Sequence, residues 1–194
     1  MMSTFSRLAA ALAALLLAGC LDSHKFEESL TPPAGSSIRN SKVMVYSFLD
    51  FRESSFGSDT LAAFEKQIPQ RFAEVDVTAG VADFRGLPAG KYFSVSNTDS
   101  QLPIERLLES GLPLENELGA QYRLLILPSY TEFPSARFRI TWAIFNARGG
   151  RRLWSGQSNL HTDYIWSTDS SPDSHAKYLL DPLMAELKLK ALTD

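Results

Sequence analysis

Apolar residues recur along the chain in patterns typical of both strands and helices. Residues 43–51 and 122–127 are almost continuously apolar, which favours two central strands that are buried on both faces. Apolar and polar residues alternate over residues 137–144, which predicts a strand with one buried face and one wetter face. Weaker patterns predict two further strands, at residues 92–95 and 151–159.

Helical spacing is clearest in two places. A helix with one apolar stripe is predicted after residue 57, because four large residues recur at spacings of three and four: Leu61, Phe64, Ile68 and Phe72. Ser58 is its expected N-cap, and Pro69 is expected to interrupt or kink it. A closing helix is predicted after Ser171, a second N-cap followed by Pro172, with a break or kink at Pro182.

The order of these elements indicates the fold class. Residues 74–90 give a poor signal and are interpreted as a long irregular insertion, whereas residues 103–118 favour short helices. The order is therefore strand, helix, strand, helix, three strands and a final helix. This order predicts an α/β (α+β) fold with a single mixed sheet of about five strands that is covered by helices.

The N-terminal residues have the pattern of a secretory signal. Arg7 is the only charge before position 20, and residues 8–18 form an apolar run of eleven residues. This run is shorter than the roughly 20 residues that cross a bilayer. It ends in Leu17-Ala18-Gly19-Cys20, which resembles the lipobox of bacterial lipoproteins.

This resemblance implies how the N-terminus is processed. A diacylglyceryl group is transferred to the Cys20 thiol, the chain is cleaved after Gly19, and the new amino group is acylated. Leu21 stands where Asp would retain such a protein on the inner membrane, which implies sorting to the outer membrane, on its periplasmic face. The membrane is thus an expected partner through Cys20.

Three segments are expected on this interpretation: a signal peptide at residues 1–19, a lipidated N-terminus with a flexible tether at residues 20–41, and a single globular domain at residues 42–194. A flexible tether of this length has a root-mean-square span of about 25 Å. The alternative is that Phe26 and Leu30 dock on the domain.

Composition narrows the classes of function. Loss of Arg7 with the signal peptide changes the net charge from −3 to −4, so nucleic acid is not an expected partner. Cys20 is the only cysteine, which leaves no thiol for a disulfide or a nucleophile. Five residues could ligate one ion if a loop folded back: His161, Asp163, Asp169, Asp173 and His175. They match no known metal-site spacing, and no catalytic residue, cofactor or metal is predicted.

Two groups of residues are candidates for binding a partner. The hairpin formed by the fourth and fifth predicted strands is rich in arginine: Arg137, Arg139, Arg148, Arg151 and Arg152. Such a patch suits a phosphate, a carboxylate-bearing glycan or an acidic protein, but charges also protect an edge hairpin from unwanted pairing. Tyr164 and Trp166 follow the last strand and are either an aromatic anchor or its buried continuation.

The domain has a second resemblance, which covers roughly residues 42–160. It is similar to the lipoprotein domains related to the N-terminal domain of TolB, the curli secretion lipoprotein and the activator lipoproteins of penicillin-binding proteins. The matching pieces include residues 43–51, 118–122 and 146–156, with Trp154-Ser155 on the return strand. It implies an accessory, scaffold or assembly role for an envelope protein partner. The alternative is a periplasmic hydrolase or small-ligand-binding lipoprotein, and the oligomeric state is left open.

Overall fold

A computed structural model describes residues 24–49, 56–82, 119–132, 137–148, 150–161 and 171–194. Six strands and two helices lie in these ranges: β1 (His24–Ser29), β2 (Lys42–Ser47), α1 (Ser58–Ala73), β3 (Thr78–Val81), β4 (Tyr122–Glu132), β5 (Arg137–Asn146), β6 (Arg152–His161) and α2 (Pro172–Leu189). The expected signal peptide, the strand expected at residues 92–95, and Tyr164 and Trp166 lie outside the described residues. Neither described helix is long and apolar enough to cross a membrane.

The strands form one mixed sheet in the order β1-β6-β5-β4-β2-β3. Strands β3, β2 and β4 are parallel, whereas the pairs β4/β5, β5/β6 and β6/β1 are antiparallel. The predicted α+β class is therefore confirmed. At one end of the sheet, β2, β3, β4 and β6 finish and β1 begins. We call this the carboxyl end, and the opposite end the amino end.

The hydrophobic core lies between the two helices and one face of the sheet. The predicted stripe on α1 is buried in it, and so is the alternating set on β5, which comprises Ile140, Trp142 and Ile144, each with 0% exposure. The buried face predicted for this strand is thus confirmed. Residues of β2 and β4 that alternate with core residues, such as Tyr46 and Leu125, are also fully buried. Both strands are therefore buried on both faces, as predicted.

Two strands occupy segments that the sequence pattern assigned differently. The expected tether contains β1, which pairs with β6 from His24 opposite Leu160 to Ser29 opposite Gly156. Phe26 packs against the core, as in the docked alternative, whereas Leu30 is 50% exposed. The expected irregular insertion contains β3, which extends the parallel part of the sheet beside β2. Both segments lack a clear apolar period because each strand lies at an edge of the sheet.

The helix ends differ in part from their predictions. Gly57, with φ of 82°, is the N-cap of α1 in place of Ser58, and no side chain caps this end. Ser171 caps α2 as predicted, since its Oγ accepts a hydrogen bond from the Ser174 backbone N–H. Neither Pro69 nor Pro182 ends its helix. Buried residues on both sides of each proline hold the helix against the sheet, which offsets the loss of one backbone donor.

Candidate functional site

A buried group of polar side chains joins the first strand to the rest of the fold. His24 begins β1 and is 4% exposed, while Ser158 on β6 and Trp142 on β5 are 0% exposed. We call His24, Ser158, Trp142 and the backbone carbonyl of Tyr178 the polar cluster. Pairing of β1 with β6 places His24 beside Ser158, and α2 packs over both through Tyr178. Three strands and a helix therefore meet at these four groups.

The hydrogen bonds of the polar cluster form a directed chain. The carbonyl of Tyr178 only accepts, so the His24 Nδ1, 3.0 Å away, must carry a proton. In the neutral ring, Nε2 is then the acceptor for the Ser158 hydroxyl at 2.9 Å. Ser158 Oγ in turn accepts a hydrogen bond from Trp142 Nε1 at 2.8 Å. The cluster thus specifies one ring tautomer and one hydroxyl orientation.

A serine bonded to a histidine has the geometry of an activated nucleophile and its base. Burial argues against that role here, because no solvent reaches Ser158 and the Trp142 donor occupies one side of its oxygen. In the described part of the fold, this hydroxyl has no exposed surface that a substrate carbonyl could contact. The pair therefore attaches β1 to β6. It gives no support to the hydrolase alternative.

The residues considered as metal ligands are dispersed among the described part of the chain. His175 lies in the first turn of α2, where its Nδ1 is 3.3 Å from Thr60 Oγ1 of α1. The Asp173 carboxylate and backbone carbonyl both accept hydrogen bonds from Gln67 Nε2. Asp163 and Asp169 lie outside the described residues. Within the described ranges, no group of three or more potential ligands is placed to hold an ion.

The arginines of the β5/β6 hairpin are divided between the two ends of the sheet. Arg137 pairs in register with His161 near the carboxyl end, and Arg139 pairs with Asn159, to which its Nε donates at 3.4 Å. Arg152 pairs instead with Phe145, six residues further along β5. At about 3.3 Å per residue, the two groups are about 20 Å apart. They are therefore two basic surfaces and not one patch.

A further arginine, which the sequence analysis did not single out, is buried near the amino end. Arg123 on β4 is 8% exposed, and its Nη2 donates to the Ala147 carbonyl at 3.1 Å. Tyr46 lies on β2, the strand that pairs with β4. Burial raises the pKa of Tyr46 above its usual value of 10.0, and the positive charge of Arg123 opposes that rise. Arg123 lies in the almost continuously apolar run of residues 122–127, but arginine is ordinarily exposed, so its burial was not predicted.

A cavity of about 590 Å³ lies beside the end of α2. Residues 31–36 form one wall and Leu189, Lys190 and Ala191 form the other. The lining contains no carboxylate, imidazole or thiol group. Leu189 is 76% exposed, so an apolar side chain borders the cavity, but the lining offers no set of convergent polar groups for chemistry.

Comparison with known proteins gives remote structural similarities only. No protein family model and no curated protein sequence matches the chain. The PelC dodecamer from Paraburkholderia phytofirmans is similar at 12% identity, with a TM-score of 0.42, over 83% of this chain and 97% of that one. A point variant of that dodecamer, in another crystal form, is 14% identical, with a TM-score of 0.41, over 81% of this chain and 96% of that one. The lipoprotein GNA1162 from Neisseria meningitidis is 14% identical, with a TM-score of 0.38, over 78% of this chain and 96% of that one. Identities of this size do not transfer a function.

Proposed function

We propose that this protein is a lipoprotein anchored through Cys20 to the periplasmic face of the outer membrane. There it serves as an accessory, scaffold or assembly factor for an envelope protein complex. The observation that carries the proposal is the motif Leu17-Ala18-Gly19-Cys20, which follows an apolar run too short to cross a bilayer.

The start of the described fold is consistent with this anchoring. β1 begins at His24, four residues after Cys20, so cleavage before Cys20 removes no residue of the described domain. A single acyl chain binds a membrane only marginally, whereas two or more chains give stable attachment. Lipidation at Cys20 therefore supplies a durable anchor without a membrane-spanning helix.

Substitution of the lipid acceptor tests the proposal. We expect the wild-type protein to incorporate a radiolabelled fatty acid and the Cys20→Ala variant to incorporate none, because Cys20 carries the only thiol. The variant should also retain its signal peptide. Ser23→Ala leaves the motif intact and is the matched control. Label recovered on the Cys20→Ala protein would refute the lipoprotein assignment.

Fractionation of the same cells tests the choice of membrane. The wild-type protein should sediment with the outer membrane, and the Leu21→Asp variant should remain with the inner membrane. Equal distribution of these two labelled proteins would contradict the proposed sorting while leaving lipidation itself unaffected.

We propose that Arg151 and Arg152 contribute to the surface that an acidic envelope partner contacts. Both are exposed and lie next to the turn at the amino end, where Arg148 adds a third exposed guanidinium. Arg137, Arg139, Tyr164 and Trp166 stay sequence-based predictions of partner contacts, and the surface proposed here does not include them. Guanidinium groups bind carboxylates and phosphates through paired hydrogen bonds, which makes such a cluster suited to an acidic surface.

A double substitution measures this contribution. Chemical cross-linking in intact cells, followed by purification of the protein, should recover less of the partner with Arg151→Ser/Arg152→Ser than with the wild type. Lys66→Ser/Lys177→Ser removes the same charge from exposed helix positions and should leave recovery unchanged. Equal recovery with both double variants would show that Arg151 and Arg152 are not part of the contact.

A further inference from the structure

The carboxyl end of the sheet is where the described chain begins. We propose that this end faces the membrane and rests on the phospholipid head groups, with the amino end directed away from them. The inference rests on the proposed lipidation of Cys20 and adds an orientation of the domain. The occupant of the surface is the lipid bilayer that holds the acyl chains.

The first step is the length of chain between the anchor and the fold. Only Leu21, Asp22 and Ser23, which we call the connector, separate Cys20 from His24. Four residue steps of fully extended chain reach at most about 14 Å between the Cα atoms of Cys20 and His24. The pattern-based tether would have allowed a span of about 25 Å. The pairing of β1 therefore shortens the reach of the domain from the membrane.

The second step is the fixed position of His24. Its ring is hydrogen-bonded to the Ser158 hydroxyl and to the Tyr178 carbonyl, and the centroids of the His24 and Tyr178 rings are 5.5 Å apart. Two residues later, Phe26 lies 6.2 Å from Trp142 and 5.9 Å from Trp154. The strand that follows the connector is thus held against the core, through polar contacts of His24 and apolar contacts of Phe26.

The third step is the location of His24 in the sheet. It pairs with Leu160, which pairs with Phe138, and Phe138 pairs with Thr131 near the end of β4. The first turns of α1 and α2 also lie at this end, because both helices run antiparallel to β2 and Thr60 contacts His175. β6 spans ten residues, about 30 Å, so the amino end lies beyond the reach of the connector.

Exposed basic residues at the carboxyl end suit a phospholipid surface. Lys25 and Arg139 both pair with Asn159, which places the three in one row across β1, β6 and β5. Lys25 and Arg139 are exposed. Anionic lipid head groups attract such cations within a Debye length of the surface, about 8–10 Å. The amino end carries exposed arginines as well, so the orientation is decided by the connector length, and Lys25 and Arg139 supply cations at the end that it selects.

Two positions on one helix test the orientation. Ser58 and Ala73 are small, exposed and located at opposite ends of α1, about 22 Å apart along its axis. The Ser58→Cys and Ala73→Cys variants of the full lipidated protein are labelled with a fluorophore, since lipidation blocks the Cys20 thiol. They are then placed in vesicles of phosphatidylethanolamine and phosphatidylglycerol that contain a lipid with a spin-labelled head group.

We expect the spin label to quench the fluorophore at position 58 several-fold more strongly than the one at position 73. Insertion of about 20 Gly/Ser residues between Ser23 and His24 should abolish that difference, because the connector then spans about 25 Å. Equal quenching at both positions, or stronger quenching at position 73, in a protein shown to carry its acyl chains would overturn the orientation alone. Absence of acyl chains from the wild-type protein would overturn both the lipid anchor and the orientation.

Discussion

Ser158 on β6 links two other strands, β1 and β5, which the sequence around it does not indicate. Its hydroxyl group is the donor to His24 and the acceptor for Trp142, and all three side chains are at least nine-tenths buried. A buried polar group that loses its partner retains the cost of leaving water, and that cost is larger than the net gain from an ordinary hydrogen bond. The polar cluster is therefore sensitive to removal of its central atom.

We expect Ser158→Ala to lower the free energy of unfolding by about 1–3 kcal/mol, because it removes the hydroxyl group that bonds to both His24 Nε2 and Trp142 Nε1. Urea denaturation measures this loss. Ser155→Ala is the control on the same strand, at a partly exposed position, and should change stability by no more than about 0.5 kcal/mol. A Ser158→Ala protein as stable as that control would show that the cluster contributes little.

Tyr46 provides a test that depends on pH. Burial raises the pKa of this phenol in the folded protein, whereas the unfolded chain should titrate near the usual value of 10.0. The contribution of Tyr46 to stability is therefore complete below pH 10.0 and is lost as pH rises toward the folded-state pKa. Tyr46→Phe removes this titration, so its stability should fall less steeply than that of the wild type above pH 10.0. Parallel curves of unfolding free energy against pH would contradict the raised pKa.

At this scale, side chains with strong apolar patterns were the predictable ones. The burial of Trp142 followed from alternation along β5, because period two assigns every second residue to one face. The polar cluster did not follow from the sequence. His24 and Ser158 are 134 residues apart, and no local pattern indicates that two polar residues so distant share one buried site.

The attachment of β1 to β6 depends on a close approach at Gly156. A Cβ atom added there would lie 2.8 Å from two ring carbons of Phe26 and 3.0 Å from Trp154. The absence of a side chain at this position allows the Phe26 ring to lie over β6. Edge strand and core are thus joined by an aromatic contact that requires glycine.

We expect Gly156→Ala to destabilise the fold by about 1–3 kcal/mol, because either Phe26 or β1 must move. In the Phe26→Ala background, the same substitution should cost less, since the ring that it would contact is gone. A double-mutant cycle measured by urea denaturation gives this coupling energy. Additive effects of the two substitutions would show that the contact between Gly156 and Phe26 does not limit the packing.

Among the elements, central strands and amphipathic helices were predictable, whereas the edges were not. β1 contains a single large apolar residue, Phe26, among charged and polar neighbours, and such a composition is typical of a solvated segment. β3 is four residues long and contains Ala79 and Gly80, so it shows no β-branched run. Each strand is formed because a neighbouring strand offers backbone partners, which is information that no window of local sequence contains.

The whole molecule joins a parallel half to an antiparallel half through β4. The parallel half follows from the β2-α1-β3 unit, in which the helix crosses over the sheet, and the antiparallel half follows from the hairpin of β5 and β6. The order of elements predicted this mixed class, but it did not predict that the first strand closes the far edge. Likewise, proximity in sequence suggested one arginine patch, whereas strand direction divides it between the two ends.

The distance along the chain between β1 and β6 also sets an order of events in time. In a chain synthesised from its amino terminus, His24 is added 134 residues ahead of Ser158. At about 5–20 residues per second, β1 then waits on the order of 10 s for its partner strand. During that interval, β1 has no partner strand, so the enzymes that would process Cys20 under the proposed lipidation meet an unfolded chain. Once β6 has paired with β1, His24 is held in the fold, so we expect the proposed lipidation of Cys20 to precede that pairing.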